Sequence, residues 1–208
     1  MILIGQYDSP FVRRVGIALC CSGVAFEHRP WSVWANADQI AALNPLRRVP
    51  TLLLDDGSAL VESFCILDAL DELVGPERAL LPASGPERRA GLRVAALATG
   101  ICDKAVTLLY SSLDLMAPSH SWTERCKRQI LDTFRVLEAE RAAHTTAYWL
   151  GQRLSHADIA VACAFRFTSE AHAALFDLSR FARLSAHAAE CEALPEFRAV
   201  YLPITNNL

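Results

Sequence analysis

Two serines stand where a hydroxyl group could serve a negatively charged ligand. Ser9 directly precedes Pro10, and Ser63 follows Glu62 after a short apolar run. Serine is favoured at the N-cap of a helix and proline at its first position, so both segments are predicted to begin helices. The unpaired N–H groups of a helix start, together with a hydroxyl, form a ready anion site. We therefore expect an anion site at Ser63, while Ser9 offers a hydroxyl donor at a helix start.

Purely structural roles for the same residues stay open. Ser9 and Ser63 could each do no more than cap a helix, and Glu62 could be an ordinary surface charge. The guanidinium group of Arg48 suits a carboxylate, although a solvated loop charge is equally consistent. Val49-Pro50 precedes a predicted strand, where a trans proline would simply mark the strand start.

The first half of the chain mixes short apolar runs with helical periodicity. Asp55-Asp56-Gly57-Ser58 separates two such runs and is typical of a hairpin turn. The predicted order is β-α-β-α-β-β-α: a strand at Ile2–Ile4, a helix from Ser9-Pro10 to Gly23, a strand at Ala25–Arg29, a helix at Ala37–Leu43, strands at Thr51–Leu54 and Ala59–Val61, and a helix capped by Ser63 that runs to about Leu73.

The second half predicts only helices. Apolar residues at steps of three and four favour a long helix from about Pro86 to Met116. Ser121-x-x-Glu124 and Ser155-x-x-Asp158 are typical of capping boxes, and the apolar run Ile159–Phe167 predicts a buried helix. Pro195 is expected to open a last helix. Three segments follow: a small α/β domain at 1–77, a linker at 78–85 and an all-helical domain at 86–208.

Composition excludes several function classes. The 208 residues are 52% hydrophobic with a net charge of −3, and the basic residues are scattered, so no nucleic-acid partner is expected. No uncharged stretch approaches the length of a membrane span, and Met1–Gly5 lacks the basic flank of a secretory signal. Seven cysteines without a CxxC, and histidines without metal-ligand spacing, favour reduced thiols, a cytoplasmic location and no metal.

Four segments together resemble the bacterial glutathione S-transferase family, and the similarity covers essentially the whole chain. Each is weak alone, but they occur in the family's order and spacing. They are Ser9–Val15, which resembles the site loop and first helix; Asn44–Pro50, with Arg48 in the usual lysine place; Glu62–Leu67; and Leu154–Ile159, similar to the capping box of the family's core helix. The resemblance implies a thioredoxin-like first domain followed by an all-α domain.

The resemblance also implies a glutathione site in the first domain. Ser63 and the helix N–H groups would bind the γ-glutamyl carboxylate, and Glu62 would balance the adjacent ammonium. Arg48 would meet the glycyl carboxylate. A cis bond before Pro50 would turn the Val49 backbone toward the cysteinyl moiety.

Ser9 is the expected catalytic residue, as a hydrogen-bond donor to the glutathione sulfur. A hydrogen bond to a charged group is worth roughly 1.5–3 kcal/mol, which lowers a thiol pKa near ~8.5 by about one to two units. Tyr7 is the runner-up, because other classes of the family place a catalytic tyrosine there. Ser9 is preferred since it occupies the position before Pro-Phe, where redox-type members carry cysteine.

The predicted reaction is attack of glutathione thiolate on a small hydrophobic electrophile, in the manner of a detoxifying transferase. Phe11, Trp34 and Tyr110 are candidates for the electrophile pocket. Peroxidase, isomerase or dehalogenase chemistry on the same site is an alternative, and so is a non-catalytic interaction scaffold. The resemblance implies a homodimer.

Overall fold

The structure is a computed structural model, and it describes residues 1–113 and 115–204. Its elements in chain order are β1 (Ile2–Ile4), α1 (Pro10–Cys21), β2 (Glu27–Arg29), α2 (Ala37–Ala41), β3 (Thr51–Leu53), β4 (Ala59–Val61), α3 (Ser63–Val74), α4 (Gly85–Ser112), α5 (His120–Ala143), α6 (His156–Ala171), α7 (Ala182–Glu192) and α8 (Pro195–Ala199). The predicted order of strands and helices in the first half is confirmed.

The chain divides into two compact units. One contains Met1–Ala83 and the described part of Pro195–Leu208, and the other contains Ser84–Leu194. The segment from Pro195 therefore belongs with the first unit, whereas the sequence analysis placed it in the helical domain. The physical reason is that Phe197 is fully buried and the Arg13 side chain on α1 donates hydrogen bonds to the carbonyls of Phe197 and Val200. The assignment of a separate function to each predicted domain stays a prediction.

The first unit is built on a four-stranded sheet in the order β2-β1-β3-β4. Strand β1 runs parallel to β2 and antiparallel to β3, while β3 and β4 form the predicted hairpin. Leu3, Ile4 and Leu52 are buried in the sheet, and helices α1 and α3 pack together and supply further core residues. Parallel β1 and β2 are joined through α1, as a parallel pair requires.

The start of α3 differs from the sequence prediction. Ser63 is the first helical residue rather than the cap, and the cap position falls on Glu62, whose φ of +64° lies in the left-handed region. The Glu62 side chain makes no capping hydrogen bond. A non-glycine residue in this conformation is uncommon and is often found where function fixes the backbone.

The second unit is helical, with α6 as its buried centre. Residues from His156 to Thr168 on α6 are all buried, as the apolar run predicted. The predicted capping box of Ser155 and Asp158 is present. No helix among the described residues is long and apolar enough to cross a membrane.

Two predictions for the helices of this part of the chain were wrong in detail, and one helix was not predicted. Helix α4 ends at Ser112 rather than near Met116, and α5 is capped by Ser119, whose hydroxyl accepts from the Trp122 N–H. Ser121 is therefore inside the helix, and the predicted box with Glu124 does not form the cap. Helix α7 was not predicted, because its apolar residues are mainly small alanines with a weak periodic signal.

Candidate functional site

Ser9 lies at the N-cap of α1, where the sequence predicted it. Its backbone is extended, with φ −67° and ψ 124°, and its Oγ accepts from the Val12 N–H at 3.4 Å. Pro10 follows as the first helical residue. Because the Val12 N–H can only donate, it leaves the single proton of the Ser9 hydroxyl for another acceptor. The Ser9 side chain is only partly buried, so a ligand can reach it.

Tyr7 points away from this helix start. Its ring stacks on His28, with ring centroids 3.9 Å apart, and packs against Gly16, where an added Cβ would come within 2.7 Å of the ring. Gly16 is seven residues along α1 from Ser9, a rise of about 10 Å. Burial, with a smaller contribution from Cys20, raises the pKa of Tyr7 to about 12. The Tyr7 ring thus packs along α1, whereas Ser9 lies at the start of that helix, and the choice of Ser9 over Tyr7 as the catalytic residue stays a prediction.

The loop before β3 is held by Asn44, a residue whose role the sequence analysis did not assign. The Asn44 side chain is buried, donates to the Arg48 carbonyl at 2.8 Å and to Thr51 Oγ1 at 3.3 Å, and accepts from the Leu46 N–H. These bonds fix both ends of the loop. The segment Asn44-Pro45 could have pointed to this role, because asparagine commonly hydrogen-bonds the backbone of a turn.

The Val49-Pro50 peptide bond is cis, as the resemblance implied. Val49 lies against Gly5 at the end of β1: a Cβ on Gly5 would stand 2.8 Å from the Val49 Cβ and 2.6 Å from Val12 on α1. Gly5 also has a φ of +126°, so glycine is required there for both reasons. Within the described residues, the Val49 N–H and C=O make no hydrogen bond. The backbone of Val49 is therefore available to an extended peptide.

The N-terminus of α3, where the sequence predicts an anion site, is uncapped. Ser63 is 3% exposed, and the N–H groups of Ser63, Phe64 and Cys65 find no partner among the described residues. The first N–H groups of any helix lack an intrahelical acceptor, and an uncapped start favours a negatively charged group. The left-handed backbone of Glu62 keeps its side chain out of the capping position.

Arg48 and Glu62 form an ion pair with each other, with 3.3 Å between Arg48 Nη1 and Glu62 Oε1. Both side chains are about half exposed, so the pair itself adds little stability. The pair brings together the two residues that the sequence analysis assigned to opposite ends of one ligand. A zwitterionic ligand could replace each partner with a group of its own.

Arg14 is the second residue near this site to which the sequence analysis gave no role. It is 1% exposed and its Nη1 donates to Ser63 Oγ at 3.3 Å, which links α1 to the start of α3. Its guanidinium lies over the Phe64 ring, 4.5 Å from the centroid. Two consecutive arginines on a helix otherwise lined with apolar residues were the available signal, because arginine is seldom fully buried without a specific partner.

The residues predicted for an electrophile pocket are distributed over both units. Phe11, on the first turn of α1, is partly buried, and Trp34 is 45% exposed before α2. Tyr110 lies near the end of α4 in the second unit and is partly buried. Their role in binding an electrophile stays a prediction.

The fold and this site together define a class of protein: a thioredoxin-like unit with a cis-proline loop and an uncapped helix start, joined to a helical unit. The family profile described as the N-terminal domain of glutathione S-transferase matches residues 3–78, and the C-terminal domain profile matches residues 121–190. The chain belongs to the glutathione S-transferase family.

Individual relatives agree with this placement. An uncharacterised glutathione S-transferase-like protein of Escherichia coli K12, YibF, is 33% identical over 172 residues, which cover 79% of this chain and 80% of that protein. A glutathione S-transferase of Methylobacterium radiotolerans, solved with glutathione sulfonate, is 30% identical, with a TM-score of 0.84 over 100% of this chain and 98% of that chain. A family member of Pseudomonas fluorescens Pf-5, solved with glutathione, is 32% identical, with a TM-score of 0.81 over 98% and 99% of the two chains.

Proposed function

We propose that this protein binds glutathione in its first unit and activates the thiol for attack on a small hydrophobic electrophile. Family membership and the glutathione ligands named for two of its structural relatives support the identity of the co-substrate. The observation that carries the proposal is the Ser9 hydroxyl, which accepts from the Val12 N–H and keeps its own proton for a ligand.

Ser9 needs to lower the pKa of the glutathione thiol only modestly. A free thiol with a pKa near ~8.5 is only a few per cent thiolate at neutral pH. A hydrogen bond from the Ser9 hydroxyl favours the ionised sulfur, and at roughly 1.5–3 kcal/mol it lowers the thiol pKa by about one to two units. The thiolate then becomes a major species near neutral pH. Ser9 acts as a donor and forms no covalent bond itself.

The remaining groups would position the tripeptide. The N–H and C=O of Val49, beside Pro50, would pair with the cysteinyl backbone, and Ser63 with the α3 N–H groups would bind the γ-glutamyl carboxylate. Glu62 would take the adjacent ammonium and Arg48 the glycyl carboxylate. Binding would thus exchange the Arg48–Glu62 ion pair for one contact on each of two charged ends of the ligand.

The ultraviolet absorption of bound thiolate at neutral pH tests this proposal. We expect the wild-type protein with glutathione to show the thiolate band and Ser9→Ala to lose most of it while still binding the tripeptide. Tyr7→Phe is the matched control, and it should keep the band. A band that survives in Ser9→Ala and disappears in Tyr7→Phe would transfer the role to Tyr7.

The type of reaction is a separate question. A panel of halogenated aromatics, epoxides, peroxides and isomerisable substrates, each with added glutathione, would distinguish a transferase from a peroxidase, isomerase or dehalogenase. We expect substitution or addition at an electrophilic carbon to dominate. Retention on glutathione-agarose without turnover of any panel member would instead favour a scaffold, and light scattering would test the expected homodimer.

A further inference from the structure

We propose that Arg14 is a positioning residue for glutathione recognition, because it holds the Ser63 hydroxyl as a donor toward the γ-glutamyl carboxylate. This inference rests on the proposed function, since it assumes that glutathione binds at the start of α3. The proposed role is indirect: Arg14 would act on the ligand through Ser63, to which it donates a hydrogen bond.

The hydrogen bond between Arg14 and Ser63 can run in only one direction. A guanidinium group has N–H donors and no acceptor, so in the contact of 3.3 Å the Ser63 Oγ must accept from Arg14. A serine hydroxyl has one proton. Arg14 occupies one of the two lone pairs of this oxygen, so the proton points away from the guanidinium group, and no described residue accepts it. The Ser63 hydroxyl is thereby set as a donor.

The arrangement is also rigid. Arg14 and Ser63 are 1% and 3% exposed, so water cannot easily replace either partner. The Arg14 guanidinium also rests on the ring of Phe64, the residue next to Ser63, which limits its movement. A donor that is oriented before the ligand arrives loses less conformational freedom on binding. The carboxylate would therefore meet a prepared hydroxyl beside the α3 N–H groups.

The chain supplies its own control in Arg13. Arg13 is also 1% exposed and lies on the same helix, but it donates to the carbonyls of Phe197 and Val200 and its guanidinium faces the Phe197 ring. Removing either guanidinium takes a buried cation out of α1. Only the removal of Arg14 should alter how the site distinguishes a ligand with the γ-glutamyl carboxylate from one without it.

The experiment compares two ligands by isothermal titration calorimetry: glutathione, and 4-aminobutyryl-cysteinyl-glycine, which lacks only that carboxylate. Arg14→Met should weaken glutathione binding roughly tenfold, the loss expected for a weakened hydrogen bond to a charged group, and should leave the affinity for the analogue nearly unchanged. Arg13→Met should lower thermal stability while keeping the ratio of the two affinities. In the double variant Arg14→Met/Ser63→Ala, binding should be no weaker than in Ser63→Ala alone.

Each other outcome counts against a specific claim. Equal losses for both ligands in Arg14→Met, or additive losses in the double variant, would overturn the positioning role. If Arg14→Met does not fold, Arg14→Leu replaces it, since leucine also lacks any donor for Ser63, and an unchanged ratio of affinities there would overturn the role as well. Failure of the wild-type protein to bind glutathione would instead refute the proposed function, and the two failures are thus distinguishable.

Discussion

Two helix starts, one in each unit, use serine in opposite ways. At α1 the Ser9 oxygen accepts from the Val12 N–H, and its proton stays unused among the described residues. At α6 the Ser155 hydroxyl and N–H both donate to Asp158, which also accepts from the Trp149 N–H at 2.9 Å. The N-cap serine is therefore available to a ligand in the first unit, whereas in the second unit its hydrogen bonds are made within the protein.

The difference lies in the direction and burial of the hydrogen bonds. Ser155 and Asp158 are 2% and 0% exposed, and every polar contact there is internal, as a buried polar group requires. Ser9 is partly buried, and its bond of 3.4 Å is long. We expect changes at α6 to act on stability and changes at α1 to act on activity.

The largest effect should follow Asp158→Ala. The substitution leaves the Ser155 N–H, the Ser155 hydroxyl and the Trp149 N–H without their acceptor. At about 1–3 kcal/mol for each unsatisfied buried group, we expect the free energy of unfolding to fall by roughly 3–5 kcal/mol. Urea denaturation measures it. Asp177→Ala is the control, because Asp177 accepts similar bonds from Ser179 in an exposed turn, and it should change stability by about 0.5 kcal/mol. Equal effects would contradict the comparison.

A pH effect of slightly smaller size is expected from His187, which packs against Asp158 in the same buried cluster. His187 Nε2 is 3.4 Å from Asp158 Oδ1 and 3.7 Å from the Cys191 Sγ, and Trp149 and Tyr148 face its ring edge-on. Burial, together with the charge of Arg141, lowers the pKa of His187 to about 4.

The sign of this effect follows from proton binding. Between about pH 6.5 and 4 the unfolded chain binds the proton at His187 and the folded chain does not, so stability falls as the pH falls through this range. The total is on the order of 3 kcal/mol. Burial raises the pKa of Asp158, which opposes the loss near the acidic end.

Denaturation curves at several pH values measure this slope. The variant His187→Gln should flatten the slope, whereas His120→Gln, at an exposed histidine, should leave it as in the wild type. An equally steep slope in His187→Gln would show that another group causes the acid sensitivity.

The next prediction compares a serine whose loss should lower activity with one whose loss should lower stability. Ser9→Ala should lower kcat/KM roughly 10–100-fold, the equivalent of a lost hydrogen bond to a thiolate, while unfolding free energy falls by about 1 kcal/mol or less. Ser155→Ala should show the reverse: about 1 kcal/mol less stability and an unchanged kcat/KM for the folded protein. Steady-state kinetics with parallel urea denaturation check both. If Ser155→Ala loses activity in proportion to Ser9→Ala, the two helix starts do not differ as described.

Much of this arrangement could be predicted from the sequence, because strong local signals agree with the fold. The hairpin at Asp55–Ser58, the proline at the start of α1 and the α6 capping box each depend on residues a few positions apart, and each is confirmed. The position of Ser9 at the start of α1 followed in the same way, whereas the cis bond before Pro50 was implied only by the resemblance to the family.

The partner of Arg14 could not be predicted with the same means. The Arg14–Ser63 bond joins residues 49 positions apart, so no local periodicity reveals it. The start of α3 was misjudged because the sequence pattern favours serine as a cap, whereas here Glu62 takes that position with a left-handed backbone. Tertiary contacts therefore decide both the position of Ser63 in α3 and the direction of its hydroxyl group.

The smallest expected effect concerns a third serine at a helix start, which serves neither a ligand nor a buried network. Ser119 is exposed and caps α5 through a bond of 3.3 Å from the Trp122 N–H, while Ser121 lies inside the first turn. Ser119→Ala should cost about 0.5–1 kcal/mol of unfolding free energy, and Ser121→Ala should cost almost nothing. Urea denaturation of the two variants would settle which serine is the cap. A larger loss for Ser121→Ala would instead support the predicted capping box of Ser121 and Glu124. The cap at this exposed helix start would then be the serine that the sequence pattern indicates.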